Sequence, residues 1–427
     1  MKKVAFYTLG CKVNQYETDS MRAMFCHHGF EAVDFSELAD VYVINTCTVT
    51  AMGDKKSRQI ISSAKKTNPD AIVVVTGCMA QNALSEKKEI EYADLVIGNA
   101  ERKNILSILE EYEKTHQKVF ASDIKKETEF WETEGIISED RTRAYIKIQD
   151  GCDRFCSYCI IPYVRGRVRS RNPEEVIKEA VSMAKKGFHE IVLIGIHLAS
   201  YGKDLGNISL IEILEQLNAQ EEIQRIRLGS LEPSFITENT IVRLSALEKV
   251  CKHFHLSLQS GCDTVLQRMN RRYTTAEFEE KVNLIRSAFP LASITTDIIV
   301  GFPGETEEEF ETTYSYLEKI RLNKMHVFPY SKREGTVAAK MAGQVSRQLK
   351  KKRAERLITL SEKNEKAFAE QFVGKEVEVL LEDRVKEGYR EGYTQEYVTV
   401  RAKEGSRGDV LMMRGKKVFS DGSLLVE

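Results

Sequence analysis

The chain has almost no net charge. Its 63 Lys and Arg offset 64 Asp and Glu, so no global field marks it for nucleic acid and any such surface must be local. It has no apolar run near the ~20 residues that a membrane span requires. Nothing at its start reads as a secretory leader, because Met1-Lys-Lys runs directly into the strand-like Val4–Tyr7. The nine cysteines, an odd number, are therefore expected to be reduced thiols of a cytoplasmic protein. Tryptophan is nearly absent, with Trp131 alone. What is not scarce is length: 427 residues predict two or three domains with ample core.

Three of the cysteines share one short stretch, Gly151-Cys152-Asp153-Arg154-Phe155-Cys156-Ser157-Tyr158-Cys159-Ile160-Ile161-Pro162. Structural zinc takes four protein ligands, and a four-iron cluster is ordinarily held by four cysteines. A C-x3-C-x2-C triad therefore leaves one metal corner open for chemistry. The alternatives are a zinc site that borrows a distant His or Cys, or three thiols that are neighbours without a metal.

Residues 1–115 read as an open parallel α/β domain. The apolar runs Val4–Leu9, Val41–Ile44, Ile72–Val75 and Leu95–Ile97 predict buried strands, and Ser20–His28 and Lys56–Lys66 predict amphipathic helices. Three of those strands run into a cysteine: Cys11, Cys47 and Cys78. All three are thus expected at the carboxyl ends of strands, the edge where open α/β sheets bind ligands. The alternative is that they are small buried residues at strand ends. Cys26, in a helix-like segment, reads as a core thiol, and so does Cys251.

Residues 116–141 have neither strand nor helix period and read as an acidic linker, with Trp131 either pinning it to a domain or exposed. From 142 to 371 strands alternate with helices. The strand candidates Ala144–Gln149, Glu190–Ile194, Arg225–Leu228, His253–Leu258, Ile294–Val300 and Lys324–Phe328 predict an incomplete (β/α)6 barrel, with functional groups on the loops after the strands. Between Arg141 and Arg171 lie eight basic and two acidic residues. Arg165, Arg167 and Arg169 in that run are candidates to grip phosphates or a substrate carboxylate, unless the run is simply a solvated loop. Residues 372–427 have short alternating strands and glycine turns, the pattern of a small β-barrel. With ten basic and eleven acidic residues, it would need a local face to bind RNA, such as Arg414, Lys416 and Lys417 with Tyr389 and Tyr393 for stacking; otherwise it is a structural cap.

The Cys152, Cys156, Cys159 triad, with Tyr158 before its last thiol, resembles the radical S-adenosylmethionine (SAM) signature. Set within Asp150–Pro162 and Arg165–Arg171, it resembles the methylthiotransferases in particular. So do Gly10-Cys11-Lys12-Val13-Asn14-Gln15, Asn45-Thr46-Cys47-Thr48-Val49 and Gly77-Cys78-Met79-Ala80-Gln81, and the run His255–Arg271, which departs only at Cys262, where serine is usual. The last domain resembles the TRAM module, an OB-like barrel that binds RNA.

The resemblance implies two 4Fe-4S clusters, one on Cys152, Cys156 and Cys159 with SAM on its open iron, and an auxiliary one on Cys11, Cys47 and Cys78 that carries sulfur. It implies SAM contacts at Ser230, Glu232 and Gln259, with Tyr158 near the adenine. It further implies a monomer that acts on the tRNA anticodon loop and takes electrons from a flavodoxin or ferredoxin. The expected activity is methylthio transfer to C2 of N6-threonylcarbamoyladenosine at position 37. The alternatives are isopentenyl-adenosine tRNA or a ribosomal protein aspartate as substrate, or a non-catalytic, metal-containing RNA-binding protein.

Overall fold

The computed structural model describes residues 1–133, 142–206 and 208–427. The chain divides into two compact units. One comprises Met1–Ser138, Lys147–Arg171 and Ser331–Ala339; the other comprises Glu139–Ile146, Asn172–Tyr330 and Lys340–Glu427.

The first unit is built on a parallel sheet of six strands in the order β2-β1-β3-β4-β5-β6. They are β1 (Lys3–Thr8), β2 (Glu31–Val33), β3 (Val41–Thr46), β4 (Ile72–Gly77), β5 (Leu95–Ile97) and β6 (Val119–Phe120). The four interior strands are the apolar runs of the sequence. β3 is buried at every position, as a central parallel strand with helices on both faces must be. The edge strands β2 and β6 are short and partly exposed, which is why their period is weak; β6 also carries the sheet to Phe120, past the expected domain end at 115. Helices α1 (Lys12–His27), α2 (Ala51–Thr67), α3 (Cys78–Ser85) and α4 (Ile105–Thr115) follow the strands. Both helices expected here extend beyond the predicted segments, and in α1 the polar yet buried Asn14, Glu17 and Thr18 mask the apolar stripe.

The order 2-1-3-4-5 reverses direction between β1 and β3, and ligands in open α/β sheets bind outside the carboxyl ends at such a point. Trp131 packs against this unit's core, with the Arg102 guanidinium 5.6 Å from its ring. The described part of the linker is therefore fastened here, whereas 134–141, including Arg141 of the basic run, lie outside the described residues. Cys26 is exposed, not core: Met21 and Phe25 take the buried face of α1 and turn position 26 outward.

The same unit holds β8 (Gln149–Asp150) and β9 (Arg169–Ser170), which pair antiparallel, and the short helix α5 (Ile161–Arg165). In the second unit β7 (Ala144–Lys147), β10 (Glu190–Ile194) and β11 (Arg225–Leu228) form one sheet, and β12 (His253–His255), β13 (Ser293–Val300) and β14 (Lys324–Pro329) another. Parallel bridges Ile226 to Val250 and Leu231 to Leu256 join the two. The result is the six-strand open barrel that the alternating pattern predicts. Helices α6 (Pro173–Lys185), α7 (Leu210–Asn218), α8 (Glu238–Ser245), α9 (Asp263–Arg268), α10 (Thr275–Ala288) and α11 (Glu307–Ile320) cover it, and α12 (Arg347–Glu370) leads onward.

The chain ends in a closed five-strand barrel: β15 (Glu376–Lys386), β16 (Tyr389–Thr394), β17 (Thr399–Ala402), β18 (Val410–Val418) and β19 (Leu424–Val426). Its core of Val377, Val379, Leu381, Val400 and Leu424 also takes Phe368 and Phe372 from the end of α12 and just beyond it. Strand β16 reads YREGYT, with too few apolar residues to show in the sequence. Among the described residues no helix is long and apolar enough to cross a membrane.

Candidate functional site

The first unit places Cys11, Cys47 and Cys78 at successive strand ends around the β1/β3 reversal. Gly10 turns the chain out of β1 at φ +107°, and a Cβ there would stand 3.0 Å from Cys47 Cβ, so only glycine lets the two cysteine segments approach. Asn14 ties the ends of both strands together: its amide donates to the carbonyls of Leu9 at 2.7 Å and Thr46 at 3.0 Å. Gly77, at φ +94°, starts α3 so closely that a Cβ would lie 2.4 Å from Asn45 Oδ1. Burial pushes the Cys47 thiol up to about 11, and the nearby Cys78 and Cys11 add to the shift. Burial likewise raises Cys78, opposed by Arg165. The three thiols thus share one electrostatic environment, each from a different strand end.

Among the described residues no three His, Cys, Asp or Glu side chains converge on a single ion. A four-iron cluster does not require that convergence, since each thiolate binds its own iron. Three soft donors around a glycine-cleared strand edge suit such a group.

The second triad lies on the loop between β8 and α5. Gly151 has φ +69°, and a Cβ there would stand 1.7 Å from the Arg167 carbonyl oxygen. Gly151→Ala is therefore expected to cost more than ~1 kcal/mol, read as a lowered unfolding midpoint; an unchanged midpoint would show that this loop gives way freely. The Asp150 carboxylate accepts from the Gly151 amide at 2.8 Å, and the Cys152 amide donates to Gly166 at 3.1 Å. The Arg154 amide donates to Cys152 Sγ at 3.4 Å, a bond that favours a thiolate over a thiol. Phe155 sits at φ +49°, a costly conformation outside glycine. The Arg167 guanidinium, 5.6 Å from its ring, and Tyr163, edge-on at 5.7 Å, brace it. A turn from the Cys159 amide to the Cys156 carbonyl at 2.9 Å brings those two half-buried thiols to one side. Across the loop, the Ala338 amide donates to Ser157 at 2.7 Å.

Sequence reasoning missed a buried ionic hub under both triads. Arg165 Nη1 donates to Glu17 at 2.8 Å and to Asp150 at 3.1 Å, and its Nη2 donates to Asn14 Oδ1 at 2.5 Å. Lys147 bonds Glu17 at 2.7 Å and Asp150 at 2.6 Å, and Arg102 completes the cage around Glu17. Burial alone would disfavour each charge. The surrounding opposite charges outweigh it, holding Arg165 well above and Glu17 and Asp150 well below their ordinary ranges. The only hint in the sequence is Asn14 and Glu17 three apart on one helix face.

The hub corrects the expected role of the arginines. Arg165 is 1% exposed and turned inward. Arg169 is buried as well, with Nη1 on the Arg165 carbonyl at 2.9 Å and Nη2 3.6 Å from Asp150. Neither presents its cation to a phosphate. The Arg167 side chain is 63% exposed, beside Asp153 at 3.2 Å.

In the second unit the loops after the strands hold the other candidates. Ser230 is exposed, with its hydroxyl 2.8 Å from that of Ser257. Glu232 is buried, 3.3 Å from His197 Nε2 and 3.0 Å from the Ser234 hydroxyl. Gln259 has φ +74°, its amide donating to Asp297 and its carbonyl accepting from Ile299, both at 2.9 Å. Cys262, a small buried thiol, precedes α9 without capping it through its side chain, and Cys251 is buried. Tyr158 is half-buried on the triad loop of the first unit. On the barrel, Arg414, Lys416 and Lys417 are exposed. Tyr393 is not available for a base, because it stacks on Tyr397 at 4.6 Å, and Tyr397 in turn stacks on His253 at 4.8 Å. Tyr389 meets Phe419 edge-on at 5.9 Å.

Two family models match the chain: the radical SAM superfamily over residues 146–317 and the uncharacterized protein family UPF0004 over residues 3–98. Over 406 residues it is 45% identical to the threonylcarbamoyladenosine tRNA methylthiotransferase MtaB of Bacillus subtilis (strain 168), covering 94% of this chain and 90% of that one. The MtaB of Aquifex aeolicus (strain VF5) is 44% identical, covering 92% and 98%. A tRNA-2-methylthio-N(6)-dimethylallyladenosine synthase of Thermoanaerobacter sp. (strain X514) is 39% identical, covering 88% and 81%. Among solved structures, the radical SAM methyltransferase TsrM of Kitasatospora setae aligns with a TM-score of 0.58 at 18% identity over 79% of this chain and 77% of that one, a likeness of fold.

Proposed function

We propose that this chain, which belongs to the radical SAM tRNA methylthiotransferases, transfers a methylthio group to C2 of N6-threonylcarbamoyladenosine beside the anticodon of tRNA. The observation that carries this reading is the pair of cysteine triads in one compact unit, one at three strand ends where Gly10 and Gly77 take positive φ, the other on a single loop that begins at the positive-φ Gly151. Cys152, Cys156 and Cys159 would hold the SAM-binding cluster, and Cys11, Cys47 and Cys78 the auxiliary one. When bound, the clusters and SAM supply the electron, the radical and the sulfur, chemistry that no side chain provides. The chain's own residues hold and shield: the Arg154 amide steadies Cys152, and Gly10 and Gly77 clear the auxiliary edge. Ser230, Glu232 and Gln259, on strand-end loops, and Tyr158 remain the proposed SAM contacts.

We divide the chain into an N-terminal domain reaching Phe120, a radical SAM domain over 142–371 and a TRAM-like RNA grip over 372–427. The closed five-strand barrel and its exposed Arg414, Lys416 and Lys417 support the last. The nine free thiols fit a reducing cytoplasm, with a flavodoxin or ferredoxin as electron donor to a monomer.

Nucleoside analysis of tRNA from a strain lacking this chain tests the substrate. The methylthio form of threonylcarbamoyladenosine should vanish and return with the gene. Loss of the dimethylallyladenosine derivative instead would overturn the choice.

Of the three arginines, Arg167 is the tRNA contact that side-chain exposure supports. Arg167→Ala is expected to raise the KM for tRNA several-fold, since one exposed charge-assisted contact contributes about 1 kcal/mol. Steady-state methylthiolation kinetics check this, and an unchanged KM would remove Arg167 from the tRNA surface.

A further inference from the structure

The mechanism just proposed uses the cysteines and leaves the most constrained cation in the first unit without a task. Arg165 donates from Nε to Cys78 Sγ at 3.4 Å, while its two Nη atoms are held by Glu17, Asp150 and Asn14. Of these partners, Asn14 ties together the strand ends leading to Cys11 and Cys47. Asp150 takes the Gly151 amide, next to Cys152. One guanidinium therefore touches a thiol of the first triad and, through a single carboxylate, the backbone that starts the second. Its burial leaves it no solvent role, and its fixed partners leave it one orientation. A salt bridge to Glu17 and Asp150 alone would need only the Nη atoms. The Nε–H aimed at sulfur is an additional bond, made from within a chain segment that itself follows the second triad.

We propose that Arg165 is a positioning residue for the auxiliary cluster: its Nε–H holds the Cys78 sulfur in place, and its buried positive charge makes that cluster easier to reduce. Hydrogen bonds to ligand sulfurs and nearby charge are among the features that set cluster potentials, and outer partners of metal ligands govern both orientation and affinity. Lysine keeps the charge but lacks the fork that reaches carboxylate and sulfur at once. The two contributions are therefore separable.

This inference rests on the reading that Cys11, Cys47 and Cys78 hold a cluster, and iron and sulfide counts distinguish the two failures. The full chain is reconstituted with arginine isotopically labelled at Nε, and its reduced clusters are studied by pulsed EPR. A hyperfine coupling from arginine Nε is expected, and it should be lost in Arg165→Lys. Two clusters per chain with no such coupling would overturn the inference alone, whereas a single cluster would overturn the functional reading with it. In a chain with Cys152, Cys156 and Cys159 replaced by alanine, Arg165→Gln should shift the remaining midpoint potential to more negative values, and Arg165→Lys should shift it less. Equal potentials in all three proteins would show that Arg165 serves the fold only. The coupling in the native chain decides the matter even where a variant does not fold.

Discussion

Replacing Cys11, Cys47 and Cys78 together with alanine is expected to leave a folded protein that still makes 5′-deoxyadenosine from SAM but yields no methylthio product. Replacing Cys152, Cys156 and Cys159 should abolish both. The difference follows from where the thiols sit. The second triad occupies one loop whose backbone is fixed by Asp150, Gly166 and the turn from Cys159 to Cys156, and none of those bonds involves the first triad. The cluster held there would supply the electron for every later step. The first triad stands at three strand ends, where Cys11 is exposed and only Cys78 is buried. Alanine at position 78 deletes one small buried group and costs on the order of 1 kcal/mol, too little to unfold a six-strand sheet. Iron content should fall from about eight per chain to about four in either triple variant. Retained methylthiolation by the Cys11/Cys47/Cys78→Ala protein would make those thiols structural.

The interior strands of the parallel sheets were legible because buried parallel strands are continuous apolar runs, and β3 and β4, which lead to Cys47 and Cys78, are among the most buried. Boundaries failed where burial is partial: β2, β6 and β16 lie at an edge or in a small barrel with polar sequences, so no period marks them. The cysteines were legible because chemistry fixes their spacing, within one loop for one set and at equivalent strand ends for the other. The hub beneath them was not. Glu17 and Arg102 are far in sequence from each other and from Lys147, Asp150 and Arg165, and in composition a buried salt-bridge cage is indistinguishable from a solvated surface. Reading Arg165 and Arg169 as part of a phosphate grip met the same obstacle, since both are buried and only Arg167 of the three is exposed. Alternation along an extended strand would expose every second residue, but at Arg165 the chain is still in α5 and turns inward.

Glu190→Gln is expected to lower stability by about 3–5 kcal/mol, the usual cost of removing one partner from a buried ion pair. Glu190 is fully buried, accepting from Arg227 Nε at 2.6 Å and ion-paired with Arg225 Nη2 at 2.9 Å, with Arg143 at 3.8 Å. The same arginines fasten the C-terminal barrel. Arg227 donates to the carbonyls of Gln395 at 3.0 Å and Thr394 at 3.1 Å and lies 4.7 Å from the Tyr397 ring, and Arg143 is ion-paired with Glu382 at 2.9 Å. Glutamine keeps the shape but leaves the buried Arg225 and Arg227 and the part-buried Arg143 without their shared anion, and the Tyr393, Tyr397 and His253 stack loses its support. Burial by itself would raise the Glu190 pKa; Arg227, Arg225 and Arg143 outweigh it and bring the value down from 4.5 to about 2. A carboxylate depressed in the folded state adds stability that is complete above its unfolded pKa and is lost as pH falls through the folded one. The native chain should therefore lose its advantage over Glu190→Gln between about pH 4.5 and about pH 2, and hold it fully near neutrality. Urea unfolding followed at several pH values reads this directly. Equal midpoints for the two proteins at neutral pH would mean that the buried anion contributes nothing to the docking of the barrel.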